Sequence, residues 1–206
     1  HWFNQKNINA AKKLGLWNII EAEDYFRQKV MLQKEITHPH KRLQHLAGRY
    51  LLKELFTDFP LELVQIADTR QPVLVNEAFH FSVSHCGDYA AVIASKTSRV
   101  GIDIEIPQQK IERIKQKFLN DDETRLLKSF YKNELEALTV GWSIKEALFK
   151  WYGTGEVDFK KHLHIVSIEK AYEFFAAHCL LLKESKISLT VRGTMFNGHS
   201  LVWLVS

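Results

Sequence analysis

The stretch Trp142–Tyr152, Trp-Ser-Ile-Lys-Glu-Ala-Leu-Phe-Lys-Trp-Tyr, limits the possible folds more than any other part of the chain. It holds good helix formers and no proline, and Gly153 stands just past its end as a stop. At about 100° per residue, Ala137, Gly141, Ile144, Leu148 and Trp151 line one apolar face. Leu135, Leu138, Trp142 and Phe149 line a second. Between them runs a polar stripe of Thr139, Ser143, Glu146 and Lys150, confined to roughly 60° of arc. A helix that is apolar on both sides of one polar stripe is mostly buried, and its stripe is expected to face a cleft. Taken alone, Glu146 and Lys150 also fit a solvated i,i+4 ion pair, worth a few tenths of a kcal/mol. What else the chain can bring to the stripe decides between the two.

The main candidate is Val100–Ile106, Val-Gly-Ile-Asp-Ile-Glu-Ile, a compact strand. Asp103 and Glu105 are two residues apart and share one face, with Ile102, Ile104 and Ile106 on the other. Two carboxylates side by side repel each other unless a cation lies between them, and hard oxygen ligands so placed suit Mg²⁺. By itself an Asp-x-Glu is equally an exposed strand edge. Upstream, Phe79–Ser84 alternates, with Phe79, Phe81 and Val83 on one face and His80, Ser82 and Ser84 on the other. His85 follows at the strand end, in a turn His-Cys-Gly-Asp before a returning strand Tyr89–Ser95.

The remaining elements alternate between strand and helix. Leu14–Ile20 reads as a strand and Glu21–Lys34 as a helix. Pro39 opens a second helix with Thr37 or His38 as its cap, and Leu43, Leu46, Ala47, Tyr50, Leu51 and Leu55 form its core stripe. Arg42, Arg49 and Lys53 fall together on the opposite side, either a solvated face or a phosphate-binding strip. Asn120 with Glu123 predicts a capping box, with Asp121, Asp122 and Glu123 complementing the helix dipole. Strands are expected at Leu163–Ile168, Glu173–Leu182, Ile187–Thr194 and Leu201–Val205, the last two joined by a tight Asn197-Gly198 turn. Two halves of similar content, divided near Lys96–Arg99, predict an α+β protein with two lobes, 1–97 and 98–206, the second carrying the acids.

Composition narrows the function classes. A net charge of +4 permits an acidic protein partner or a phosphate-rich ligand but supplies no long basic block or nucleic-acid motif. Cys86 and Cys179 form neither a disulfide framework nor a metal spacing, which points to a reducing cytoplasmic compartment. No segment is long and apolar enough to span a membrane, and no apolar signal core opens the chain.

Together, Val100-Gly101-Ile102-Asp103-Ile104-Glu105 and Trp142-Ser143-Ile144-Lys145-Glu146-Ala147-Leu148-Phe149-Lys150 resemble the paired motifs of the 4′-phosphopantetheinyl transferases. Phe79–His85 resembles the family's strand ending in Ser-His, and Leu46-Ala47-Gly48-Arg49 and Gln71-Pro72 its weaker N-terminal marks. The similarity runs in order over roughly 43–155. It implies the larger, monomeric class, in which two similar α+β lobes related by a pseudo-twofold hold coenzyme A in the cleft between them. It also implies transfer of the phosphopantetheine arm of coenzyme A to a serine of an apo acyl or peptidyl carrier protein, with Mg²⁺ as cofactor. Carried over residue by residue, Asp103, Glu105 and Glu146 hold the metal, and Glu146, Asp103 and Lys150 are catalytic. Arg49, Arg70, Ser84, His85, Lys145 and Lys150 contact the donor. The chain departs from the pattern at Gln71, where lysine is common, and at Ser82, where asparagine is usual, so either Arg70 takes over at the adenine end or that contact is lost. A Mg²⁺-dependent pyrophosphate or phosphodiester hydrolase is the alternative that uses the same acids.

Overall fold

In the computed structural model of the chain, residues 2–32, 35–67, 71–74 and 77–206 are described, those at 2–7 by their backbone alone. The chain divides into two compact units, His1–Val100 and Gly101–Ser206, each with its own apolar core. Both mix helix and sheet.

The first unit begins with a hairpin of β1 (Trp2–Asn9) and β2 (Lys12–Asn18), followed by a short helix α1 (Glu23–Arg27) and a long one, α2 (Pro39–Leu55). A small hairpin of β3 (Val64–Ile66) and β4 (Pro72–Leu74) leads to β5 (His80–Cys86) and β6 (Tyr89–Ser95). The main sheet is antiparallel in the order β1-β2-β6-β5. Helix α2 starts at Pro39, where a missing N–H costs nothing, and the His38 ring accepts the Lys41 N–H at 3.4 Å. Its buried Leu46, Ala47, Leu51, Leu52 and Leu55 cluster with Trp17, Ala90, Val92 and Ala94 of the sheet. Each fully buried leucine contributes about 1.5–3 kcal/mol.

Two sequence expectations change here. The Asn/Lys-rich N-terminus, to which no element was assigned, supplies the edge strand β1. Of the helix expected over Glu21–Lys34, the described residues form only the five of α1, and 33–34 lie outside the described residues. Arg42 ties α1 to the residues just before α2: its guanidinium donates to Glu23 Oε1 at 2.8 Å and to the Ile36 and Thr37 carbonyls at 2.8 and 3.2 Å. Arg42 is therefore a structural tie and not part of a phosphate-binding strip.

The second unit carries β7 (Val100–Glu105), α3 (Gln109–Phe118), α4 (Asp121–Phe130), α5 (Glu134–Tyr152), β8 (Leu163–Ala171), β9 (Phe174–Leu182), β10 (Lys186–Phe196) and β11 (His199–Val205). Its sheet runs β7-β11-β10-β9-β8. Asn120 and Glu123 close the predicted capping box of α4, each side chain bonded to the other's backbone N–H. Asn197 and Gly198 form the predicted turn, both at positive φ, and set Phe196 opposite His199. Gly153 ends α5 in the left-handed conformation that glycine adopts without penalty.

The two units repeat one internal order. The strand before the long helix (β2, β7) lies beside the last strand (β6, β11), and that strand lies beside its predecessor (β5, β10). In each, the long helix packs on the last strand, α2 on β6 and α5 on β11.

Candidate active site

Gly101 explains how the two acidic motifs meet. A Cβ at this position would come within 2.1 Å of the Ala147 carbonyl oxygen and 3.0 Å of the Trp151 nitrogen. Only glycine lets β7 run this close to the backbone of α5, and two residues later the strand delivers Asp103 to the end of the polar stripe. Lys150 Nζ donates to Asp103 Oδ1 at 2.8 Å, with the Asp103 side chain 3 % exposed. Trp142, one turn before Glu146, donates its indole N–H to Glu105 Oε1 at 3.3 Å.

The electrostatics of the acids are set by burial first and by one another's charge second. Burial, and then the charge of Asp103, push Glu146 up to about 7, against the pull of Lys150. The same two causes, in the same order, push Glu105 up to about 7, while Lys110, Trp142 and Lys150 pull it down. Three carboxylates on two elements thus feel one another, with the ammonium groups of Lys150 and Lys110 opposing their repulsion. Among the described residues, no group of three or more His, Cys, Asp or Glu side chains is arranged to hold a metal ion as it stands.

The polar stripe does not stay open along its length. Thr139 and Ser143 have no exposed surface. Thr139 Oγ1 donates to the Leu135 carbonyl of its own helix at 2.7 Å. The chemically accessible part of the stripe is Glu146 and Lys150, both half-buried.

Lys145 is the main correction to the expected site. Expected to contact a cofactor, it has no exposed surface, and its ammonium bonds Glu123 Oε2 at 2.9 Å, the Phe159 carbonyl at 3.0 Å and the Phe118 carbonyl. Its position on α5 faces it toward α4, which is why it cannot share a partner with Glu146. Glu123 is correspondingly buried, at 2 % exposure, and is an ion-pair partner as well as a cap.

In the first unit, His85 lies on β5 and not in the turn after it. Ser84 beside it is buried, and the ring of His45 on α2 meets the His85 ring edge-on, with centroids 5.1 Å apart. Arg49, one turn after His45 on α2, is half-buried, and burial lowers its pKa from the usual value. His45 belongs with this basic group, and the sequence reading missed it. The i,i+4 spacing of His45 and Arg49 was the available signal. Ser82 is buried, and Gln71 Nε2 is buried without a partner among the described residues. Arg70 lies outside the described residues.

Comparison with known proteins agrees with the motif pair. A family model described as the 4′-phosphopantetheinyl transferase superfamily matches residues 99–198. Enterobactin synthase component D of Salmonella austin is 32% identical over 172 residues, covering 81% of this chain and 72% of that protein. A putative 4′-phosphopantetheinyl transferase of Haemophilus influenzae is 30% identical over 141 residues, 66% of this chain and 60% of that one. The human L-aminoadipate-semialdehyde dehydrogenase-phosphopantetheinyl transferase is 30% identical over 139 residues, 53% of this chain and 42% of that one. The chain belongs to the 4′-phosphopantetheinyl transferase superfamily and is a transferase enzyme. None of its described helices is long and apolar enough to cross a membrane.

Proposed function

We propose that this enzyme transfers the 4′-phosphopantetheine arm of coenzyme A to a serine hydroxyl of an acidic apo acyl or peptidyl carrier protein. It works as a cytoplasmic monomer with Mg²⁺. The observation that carries the reading is the close approach of β7 to α5 at Gly101, which puts Asp103 on Lys150 and leaves Glu105 and Glu146 repelled by the same charge.

The chemistry of the donor set, though not its present arrangement, suits Mg²⁺. Asp103, Glu105 and Glu146 offer hard oxygen ligands; burial first, and then the charge of Asp103, raises Glu105 and Glu146, and a divalent cation would relieve both penalties. Bound there, the metal supplies Lewis-acid neutralisation of the pyrophosphate. The rest of the chemistry belongs to side chains of the chain. Glu146, on the same stretch of α5 as Lys150, takes the proton of the attacking serine hydroxyl. The serine oxygen forms its bond to the β-phosphorus as the bond from that phosphorus to the bridging oxygen breaks. Adenosine 3′,5′-bisphosphate leaves with the bridging oxygen and the electron pair. Lys150 neutralises charge on the departing half. Ser84 and His85 hydrogen-bond phosphate oxygens, and Arg49 and Arg70 bind the nucleotide end.

Release of adenosine 3′,5′-bisphosphate from coenzyme A, followed with and without apo carrier protein, tests the reading. Release only when the acceptor is present supports the transferase. Release at the same rate without acceptor assigns the chain to the hydrolase alternative.

A further inference from the structure

The buried Glu123–Lys145 pair has no place in the chemistry above, and stability alone does not account for it. Taking each of these ions out of water costs several kcal/mol, and apolar residues of the same volume commonly fill such a space at no loss. The pair is nonetheless fully satisfied. Lys145 Nζ lies 2.8 Å from Glu123 Oε1 and 2.9 Å from Oε2. Those oxygens also accept the Ile165 and Asn120 N–H groups, each at 2.9 Å. The other protons of the ammonium go to the carbonyls of Phe118 and Phe159.

These two carbonyls belong to the two residues whose rings flank Trp142. The Phe118 ring meets the indole edge-on at 5.0 Å, and the Phe159 ring lies tilted against it at 5.5 Å. One ammonium therefore fixes, through backbone, the end of α3 and the loop after α5, and with them both walls around the indole. The indole in turn donates its N–H to Glu105 Oε1. Contacts with both rings restrict how the indole can turn, and with it the direction of its N–H donor.

We propose that Glu123 and Lys145 are positioning residues for Glu105, acting through the Phe118–Trp142–Phe159 stack to hold that carboxylate in place beside Asp103. The proposal rests on the reading of Asp103, Glu105 and Glu146 as a metal site, and its test separates the two. It gives Lys145 of the Trp-x-x-Lys-Glu run a task distinct from that of the adjacent Glu146, which faces the acids.

The experiment is a Mn²⁺ titration of the full chain without coenzyme A, read by the signal of the free ion. It compares wild type, Trp142→Phe, Glu123→Gln/Lys145→Met, the triple variant and Val191→Ala, a core substitution matched for loss of stability. Trp142→Phe and the pair variant each weaken Mn²⁺ binding by about tenfold, as loss of an outer partner of a metal ligand does. The triple variant weakens it no further than either, because all act along one path. Val191→Ala leaves the affinity unchanged. Unchanged affinity in the pair variant, or losses that add in the triple variant, overturns the proposal. If the pair variant does not fold, Phe159→Leu, which loosens one wall from a half-buried position, takes its place with the same expected and contrary results. A wild type that takes up no Mn²⁺ overturns the metal reading instead. Positioning is then decided by water exchange of the Trp142 indole N–H. Faster exchange in Glu105→Gln and the pair variant, but not in Val191→Ala, supports it, and unchanged exchange overturns it.

Discussion

Lys150 and Asp103 form an ion pair that joins α5 to β7, with Nζ 2.8 Å from Oδ1 and both side chains largely shielded from water. The lysine is a neutralising charge for the least exposed of the three acids. Its removal takes one neutralising charge away from the buried Asp103.

Lys150→Met is therefore expected to destabilise the metal-free protein by about 3 kcal/mol, the scale for breaking a shielded pair from one side. Mg²⁺ should restore part of that loss, because it binds the folded state at the carboxylate that the lysine has left. Thermal melts with and without Mg²⁺ check this. The increase in Tm on adding Mg²⁺ should be larger for Lys150→Met than for wild type, and an equal increase contradicts the shared site.

Gly101→Ala is expected to be severe. The new methyl would lie 2.1 Å from the Ala147 carbonyl, backbone against backbone, so β7 has to move away from α5 and carry Asp103 with it. Overpacking of this kind costs about 1–3 kcal/mol, and transferase activity should fall further than stability does. Gly48→Ala is the contrast. Its methyl would meet only the Val83 Cγ1 at 2.9 Å, a side-chain atom, and a helix interior favours alanine, so stability should stay within about 1 kcal/mol of wild type.

Stability should depend on pH in an unusual direction. Burial and the neighbouring Asp103 charge raise Glu105 and Glu146 from 4.5 to about 7 in the folded protein. Each then holds a proton that the unfolded chain has already released, so its contribution is full below the unfolded value and is lost as pH rises through the folded one. The Tm of the metal-free protein should fall as pH is raised from about 4.5 to about 7. Glu146→Gln should flatten that decline, and so should Mg²⁺. A Tm that rises over this window in metal-free protein contradicts the crowding of the acids.

Much of this site was legible in the sequence where the determinants are local. The Asn120–Glu123 box, the proline start of α2 and the Asn197-Gly198 turn depend on neighbours within a few residues, and each formed as read. The alternation of Val100–Ile106 put Asp103 and Glu105 on one face, and helical spacing put Glu146 and Lys150 on another. Depth was not legible. A helical wheel gives the direction of Lys145 but not the carboxylate of Glu123, 22 residues earlier, that meets it. The same projection placed Thr139 and Ser143 on an open stripe, although both are sealed. Strand β1 escaped notice because an edge strand pairs through its backbone and shows no apolar alternation in this sequence. Arg42 read as one of three matching cations because its partners, Glu23 and the Ile36 and Thr37 carbonyls, are set by the path of the chain before α2.

The intact mass of an apo acyl or peptidyl carrier protein, after incubation with the enzyme, coenzyme A and Mg²⁺, tests the central claim most directly. The carrier is expected to gain one phosphopantetheine group at the acceptor serine, strongly reduced by Asp103→Asn or Glu146→Gln and absent without Mg²⁺. No gain across several apo carriers, or a full gain with Glu146→Gln, would contradict it.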